Sequence, residues 1–266
     1  MNQFFEMMSH PFMLRALLTG ILISLPAALI GVSLVLRKNA MIGDGLSHVA
    51  FSAFAVAAAL GLTPLWFALP VSILASFMIL RLGKSRRIDG DALIALISTS
   101  ALAIGIIAIS LAGINIDLNS YLFGSILAVS WVEVGIAAVI AIFTLVLYLF
   151  LHHRIFAITF DANFARAIGI KTEIYDAIFA IICSLVVVVG MKLLGALLIS
   201  SLVIFPTLIA MRLTKSFKYT VIIATIEAVI AFVVGLALSY VFSLPTGATV
   251  VITHLAILIL TIFCRI

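Results

Sequence analysis

The sequence predicts an all-α, polytopic integral membrane protein, on the basis of its composition, its apolar runs and the distribution of its basic residues. Of the 266 residues, 65% are hydrophobic and 9% are charged, whereas soluble domains have about 45–50% apolar and about 25% charged residues. A globular core of this chain length cannot bury so much apolar surface, so the composition favours a lipid bilayer. The net charge of +5 does not indicate nucleic-acid binding, because the basic residues form short clusters between apolar runs.

Nine apolar runs are long enough to be membrane helices, which need about 20 apolar residues each. Turn-forming sequences such as GLTP at 61–64 and SLPTG at 243–247 separate them. The interval 174–211 is divided only by GMKLLG, so it is either two crossings or one crossing with a re-entrant segment, which would give eight crossings. The predicted spans are 12–36, 44–60, 64–81, 91–113, 131–151, 174–191, 195–211, 219–242 and 246–264.

The basic residues predict the orientation of these spans. With nine crossings, every lysine and arginine except Arg15 and Lys192 falls on the same side of the membrane. The positive-inside rule makes that side cytoplasmic, so we expect an outside N-terminus and a cytoplasmic C-terminus in the cell membrane. The first run is too long for a signal peptide and ends at Arg37 without a small-residue cleavage site, which favours a retained helix.

No pattern in the sequence indicates enzymatic activity or a permanently bound cofactor. GKS at 83–85 resembles the end of a nucleotide-binding loop, but Met78 occupies the position where that loop needs its first glycine, and no strand precedes it. HExxH is absent, and no serine–histidine arrangement indicates a hydrolase. Cys183 and Cys264 lie far apart within apolar runs, which favours small buried side chains over a disulfide or a metal-binding pair.

The segment GDGLSHVAF at 43–51 places two ionisable residues at the start of an apolar run. Asp44 and His48 are four residues apart, so in a helix they share one face. A carboxylate oxygen and a neutral imidazole nitrogen both bind divalent transition metals. The alternative is that Asp44 stabilises the helix N-terminus and His48 is an interfacial polar residue. Structural zinc sites have four ligands, so two ligands would suit a transient stop on a pathway.

Two further ionisable residues are predicted to lie inside membrane spans. Glu227 falls within 219–242 and His254 within 246–264, and such residues are candidates for a function. Either could face a polar pathway, and either could equally be an interior residue with a hydrogen-bond partner.

The segment TFDANFARAIGIKTE at 159–173, between two apolar runs, has the mixture of polar and apolar residues typical of a soluble helix. Asp161 can cap a short helix in which Phe164, Ala165 and Ile168 share a face, and Gly169 can end it. We expect an amphipathic helix at the cytoplasmic surface, which is either a docking element or an ordinary connector.

Five stretches, in this order along the chain, resemble the permease subunits of the metal-ion ABC importers, the family that takes up zinc, manganese or iron(II). They span nearly the whole sequence. They are LRKNAMIGDGLSHVAF (36–51), YLFGSILAVSW (121–131), FDANFARAIGI (160–170), GMKLLGALLISSLVIFPTLIAMRL (190–213) and LPTGATVV (244–251).

The resemblance implies a type II ABC-importer-like permease fold, with residues 1–266 as a single transmembrane domain. It also implies three kinds of protein partner: a cytoplasmic pair of ATP-binding subunits, a second permease copy in a homodimer or heterodimer, and a metal-binding protein outside the membrane. Residues 161–170 would be the coupling helix, and Asp44 and His48 would contact the metal, zinc first and manganese second. The rival class is a stand-alone secondary transporter or channel, although we find neither an inverted repeat nor a coupling-ion site.

Overall fold

The computed structural model describes residues 10–83, 90–113, 124 and 126–263, and all regular structure within them is helical. Within these residues a one-turn 3-10 helix, Ile126–Ala128, precedes the fifth of ten α-helices. The α-helices are α1 (Pro11–Leu36), α2 (Ile42–Ala59), α3 (Pro64–Leu82), α4 (Gly90–Ala112), α5 (Trp131–Phe160), α6 (Ala162–Ala167), α7 (Thr172–Leu194), α8 (Ala196–Leu213), α9 (Phe217–Phe242) and α10 (Thr246–Phe263).

The predicted fold class is confirmed for the described residues. All α-helices there except the short α6 are long and apolar enough to cross a membrane, which makes nine candidate spans. Two residues of the GKS segment, Lys84 and Ser85, lie outside the described residues, as does Cys264. Cys183 is a fully buried free thiol, as its apolar surroundings predict.

The ambiguous interval 174–211 forms two helices, because the chain turns at Gly195. This residue has φ +93 and ψ 156, a conformation that is essentially restricted to glycine. The turn separates α7 from α8, and both helices are long and apolar enough to span a membrane. Of the two alternatives, the geometry therefore supports two crossings.

Helix α5 extends nine residues beyond the predicted end at 151. It begins with a capping box, in which the Glu133 N–H donates to Ser130 Oγ at 3.3 Å and the Ser130 N–H donates to Glu133 Oε2 at 3.0 Å. It contains no proline, and its one glycine, Gly135, lies near its start, so nothing interrupts the helix before Phe160. Thirty residues measure about 45 Å at about 1.5 Å per residue, longer than the roughly 30 Å hydrocarbon core of a bilayer. The helix therefore carries the chain beyond the apolar layer before α6 begins.

The centre of the bundle consists of α1, α2 and α7, whose side chains are mostly buried. Helix α1 packs against α5, α8 and α9, and α2 packs against α3 and α4. Helices α4 and α10 are peripheral and leave large apolar side chains exposed, such as Leu111 and Phe263. An exposed apolar surface of this kind suits contact with lipid tails, which offer no hydrogen-bonding groups.

Candidate metal-ion site

Asp44 and His48 project from the first two turns of α2, as the four-residue spacing predicts. Asp44 Oδ2 lies 3.7 Å from His48 Nε2, and the two side chains are 43% and 34% exposed. Asp44 Oδ1 also accepts a hydrogen bond of 3.3 Å from the Ser200 hydroxyl of α8. Sequence reasoning did not single out Ser200, although it lies within the quoted stretch 190–213. The two candidate ligands are thus held together and remain open to an incoming ion.

The helix-capping alternative for Asp44 is not supported by its hydrogen bonds. The N-cap of α2 is Met41, and no side chain caps the helix. Asp44 is the third residue of the helix, where its charge still complements the helix dipole. Its carboxylate oxygens face His48 and Ser200 rather than the free N–H groups of the first turn.

A cavity of about 430 Å³ opens beside the pair, between α2 and α4. Asp44 and His48 line one wall, and Asp91, Ser98 and Thr99 of α4 line the other. The space has polar groups on both walls and is large enough for a hydrated ion. Sequence analysis missed Asp91, because its position at the start of the predicted span 91–113 gave no sign that α4 packs beside α2.

The close approach of α4 to α2 depends on glycine. A Cβ added at Gly45 would lie 2.5 Å from Ile94 Cγ2, and one at Gly105 would lie 2.8 Å from the Ser52 Cα. Gly45 stands between the two candidate ligands in sequence and faces α4. A larger residue there would push α4 away and alter the cavity wall.

The ligand set within one chain is small. Among the residues that the structure describes, no group of three or more histidine, cysteine, aspartate or glutamate side chains could hold a metal ion. Asp91 therefore lines the cavity without joining Asp44 and His48 in a compact set. Two ligands can hold an ion briefly while water or groups from elsewhere complete its coordination.

Glu227 and His254 come together as a buried pair between α9 and α10. Glu227 Oε1 lies 3.0 Å from His254 Nδ1, and the ring of Phe205 stacks on the imidazole with centroids 6.0 Å apart. The remaining polar atom of each side chain, Glu227 Oε2 and His254 Nε2, is buried without a hydrogen-bond partner. This arrangement favours interior residues that join two helices over residues lining a polar pathway.

The segment predicted at 161–170 contains α6 and both of its predicted end signals. Asp161 Oδ1 accepts hydrogen bonds from the N–H groups of Asn163 at 2.9 Å and Phe164 at 3.0 Å. At the other end Gly169 has φ +87, and its N–H donates to the Arg166 carbonyl while that of Ile170 donates to Ala165. This is the pair of bonds that closes a Schellman motif, so α6 is short and sharply bounded.

The three residues predicted to share a face of α6 differ in exposure. Phe164 and Ile168 are 59% and 56% exposed, but Ala165 is fully buried. Only Phe164 and Ile168 are therefore available at the surface. The reason is packing: α6 lies against α5 and α7, and the small Ala165 side chain faces the body of the protein.

Comparison with known proteins gives matches over nearly the whole chain. Residues 9–265 match the ABC 3 transport family. The manganese import system permease protein ScaB of Streptococcus gordonii is 31% identical over 95% of this chain and 91% of its own length. The high-affinity zinc uptake system membrane protein ZnuB of Haemophilus influenzae is 31% identical over 94% of this chain and 96% of its own.

A solved structure has the same fold. The structure of PsaBC from Streptococcus pneumoniae in complex with Fab contains a chain that superposes with a TM-score of 0.87 at 28% identity. The match covers 99% of this chain and 95% of that one. The helical arrangement described above is therefore shared over essentially the full length.

Proposed function

The chain belongs to the ABC 3 transport family, and we propose that it is the membrane-spanning permease subunit of an ABC importer for a divalent transition-metal ion. The observation that carries the proposal is the Asp44–His48 pair, which is partly exposed at a cavity in a mostly apolar bundle. The names of ScaB and ZnuB describe permease or membrane proteins of manganese and zinc uptake systems. Family and site therefore support the same function.

The pair has the chemistry that an ion in transit needs. Moving even a singly charged group into an apolar medium costs tens of kcal/mol by idealised solvation, so a divalent ion needs protein ligands where it loses water. Asp44 provides an oxygen and a negative charge, and His48 provides a nitrogen when it is unprotonated. A two-ligand set releases its ion more readily than a closed four-ligand site.

We propose zinc as the first candidate for the transported ion and manganese as the second, with iron(II) as the third. Oxygen and nitrogen ligands suit each of these ions, and the zinc and manganese relatives match this chain with the same identity. Zinc precedes manganese because imidazole suits zinc, and manganese precedes iron(II) because a manganese permease is among the relatives.

The proposed complex contains a pair of cytoplasmic ATP-binding subunits, a second permease copy and a metal-binding protein on the other side of the membrane. We propose that α6 docks on the ATP-binding subunit through Phe164 and Ile168, which project from a rigid, capped turn beyond the end of α5. In this arrangement α6 and the C-terminus are cytoplasmic and the N-terminus is outside. ATP is hydrolysed by the partner, and this chain is not an enzyme.

Substitution of Asp44 by Asn tests the metal-binding role. Asn keeps the size and the hydrogen-bonding capacity of the side chain but removes its charge. Uptake of radioactive zinc and manganese should fall strongly in cells that express the variant with its ATP-binding subunit and metal-binding protein, while the amount of assembled complex stays unchanged. Uptake of both metals at the wild-type rate would reject Asp44 as an essential ligand.

The same assay separates the proposal from its rival. An ABC permease transports only with the ATP-binding subunit, so wild-type uptake should disappear when that subunit is omitted. A stand-alone secondary transporter would retain uptake without it.

A further inference from the structure

A buried ion pair joins three helices at the end of the molecule where α6 lies. Arg37, the residue that follows α1, donates from Nη1 to Asp176 Oδ1 of α7 at 3.1 Å. The same guanidinium donates from Nε to the Thr159 hydroxyl of α5 at 3.3 Å. It also lies over the ring of Phe179, 4.9 Å from the centroid. One side chain thus contacts the adjacent ends of α5 and α7.

The pair is buried, so its role is not explained by surface charge. The Arg37 and Asp176 side chains are only 11% and 9% exposed. Burial lowers the pKa of the Arg37 guanidinium from its ordinary value, and the charge of Asp176 opposes that shift. Well-packed apolar residues often stabilise a fold as well as a buried ion pair does. Stability alone is therefore a weak explanation for this buried ion pair.

The position of Arg37 in the chain links the two functional segments. Arg37 lies seven residues before Asp44, and only the turn at 37–41 separates it from α2. Its partner Thr159 lies two residues before Asp161, whose carboxylate caps α6. Arg37 therefore lies between the helix that bears the metal-binding pair, which follows it in the chain, and the end of α5 that leads into α6.

Two clefts border Asp176 and leave this connection without continuous apolar packing. One, of about 300 Å³, is lined by Arg166 of α6 and by Thr172. The other, of about 280 Å³, is lined by Ala162 of α6 and by Arg37 itself. The polar contacts of Arg37 with Thr159 and Asp176 therefore lie beside open clefts, next to the packing of α6 on α5 and α7.

We propose that Arg37 and Asp176 are positioning residues that transmit movement of α6 to α2, and so couple ATP hydrolysis to metal passage. This inference rests on the proposed function, because it requires α6 to dock on an ATP-binding subunit. It adds a physical route from that docking surface to Asp44 and His48: α6 to Thr159, Thr159 to Arg37, and Arg37 through the turn at 37–41 to α2.

The double variant Arg37→Met/Asp176→Leu separates coupling from stability. It replaces both charges with apolar groups of similar size, so neither charge remains buried without a partner. With the ATP-binding subunit and the metal-loaded binding protein in proteoliposomes, we expect normal assembly and normal basal ATP hydrolysis. Metal transported per ATP hydrolysed should fall at least about tenfold, which is within the usual range of coupling between sites. Wild-type transport per ATP in the assembled double variant would overturn the inference.

Thr159→Val provides a second test that does not depend on how the double variant folds. It removes only the hydroxyl that accepts from Arg37 and preserves the shape of the side chain. We expect a smaller loss of transport per ATP with unchanged thermal stability, and an unchanged ratio would overturn the inference. Lys192→Met is the matched control, because it breaks the 3.0 Å ion pair with Glu133 at the opposite end of α5 and should leave the ratio unchanged.

Transport by the wild-type protein distinguishes failure of the proposed function from failure of the coupling role of Arg37 and Asp176. If wild-type permease shows no ATP-driven metal uptake, the proposed function fails. If wild type transports and the double and Thr159 variants transport equally well per ATP, only the role of Arg37 and Asp176 fails.

Discussion

Replacement of Phe164 by alanine is expected to weaken binding of the ATP-binding subunit without destabilising the permease. The ring is 59% exposed at the start of a helix whose backbone is held by Asp161. Removing an exposed ring opens no cavity in the core, so the thermal stability of the permease alone should change little. The substitution should therefore lower only the affinity for the ATP-binding subunit, which would cover the ring.

The size of the loss follows from the exposed area. A phenylalanine buries roughly 150–250 Å² when fully covered, so the exposed part of Phe164 is about 100 Å². At about 25 cal/mol per Å² this area corresponds to about 2.5 kcal/mol. Side-chain ordering and incomplete coverage reduce the gain, so we expect about 1.4–2.5 kcal/mol, or about 10- to 60-fold weaker binding. Ile168→Ala should have a smaller effect in the same direction, because its side chain is smaller.

The assay is the dissociation constant between the permease in lipid nanodiscs and the purified ATP-binding subunit. Phe242→Ala is the matched control, because Phe242 is 64% exposed but lies at the end of α9, on the opposite side of the bundle from α6. Its replacement should leave the dissociation constant unchanged. The reasoning is refuted if Phe164→Ala binds as tightly as wild type, or if Phe242→Ala weakens binding equally.

Three further predictions concern Ala165, the orientation in the membrane and the role of His48. Ala165→Asp should lower the amount of folded permease, because it would bury an unpaired charge at a cost of several kcal/mol. Ala165→Ser should be tolerated. Equal protein levels for the two variants would contradict the observed burial. In a cysteine-free background, single cysteines that replace Asn163 and Lys215 should be labelled only from the cytoplasm, and one that replaces Asp117 only from outside. Labelling of position 163 from outside would reject both the orientation and the docking role of α6. His48→Ala should lower metal uptake while the amount of assembled complex stays unchanged, because one of the two candidate ligands is lost; wild-type uptake in this variant would exclude His48 as a ligand.

The sequence alone was sufficient for the fold class and for the local part of the site. Composition and apolar run length predicted the nine candidate spans, because a membrane crossing requires a long helix with internally satisfied backbone groups. The four-residue spacing of Asp44 and His48 predicted their shared face, and the Asp161 and Gly169 signals predicted both ends of α6. Each of these features depends on residues close together in the chain.

The tertiary structure decided every feature that depends on how separate helices pack. Ser200 reaches Asp44 and Asp91 lines the cavity because α8 and α4 pack beside α2, which no local pattern indicates. Ala165 turned inward because α6 rests on α5 and α7, although its helical phase also allowed an outward position. Arg37 and Asp176 meet across 139 residues of chain, and Glu227 meets His254 across 27. Periodicity determines which residues share the face of one helix, whereas the partner across an interface is selected by side-chain shape and charge in three dimensions.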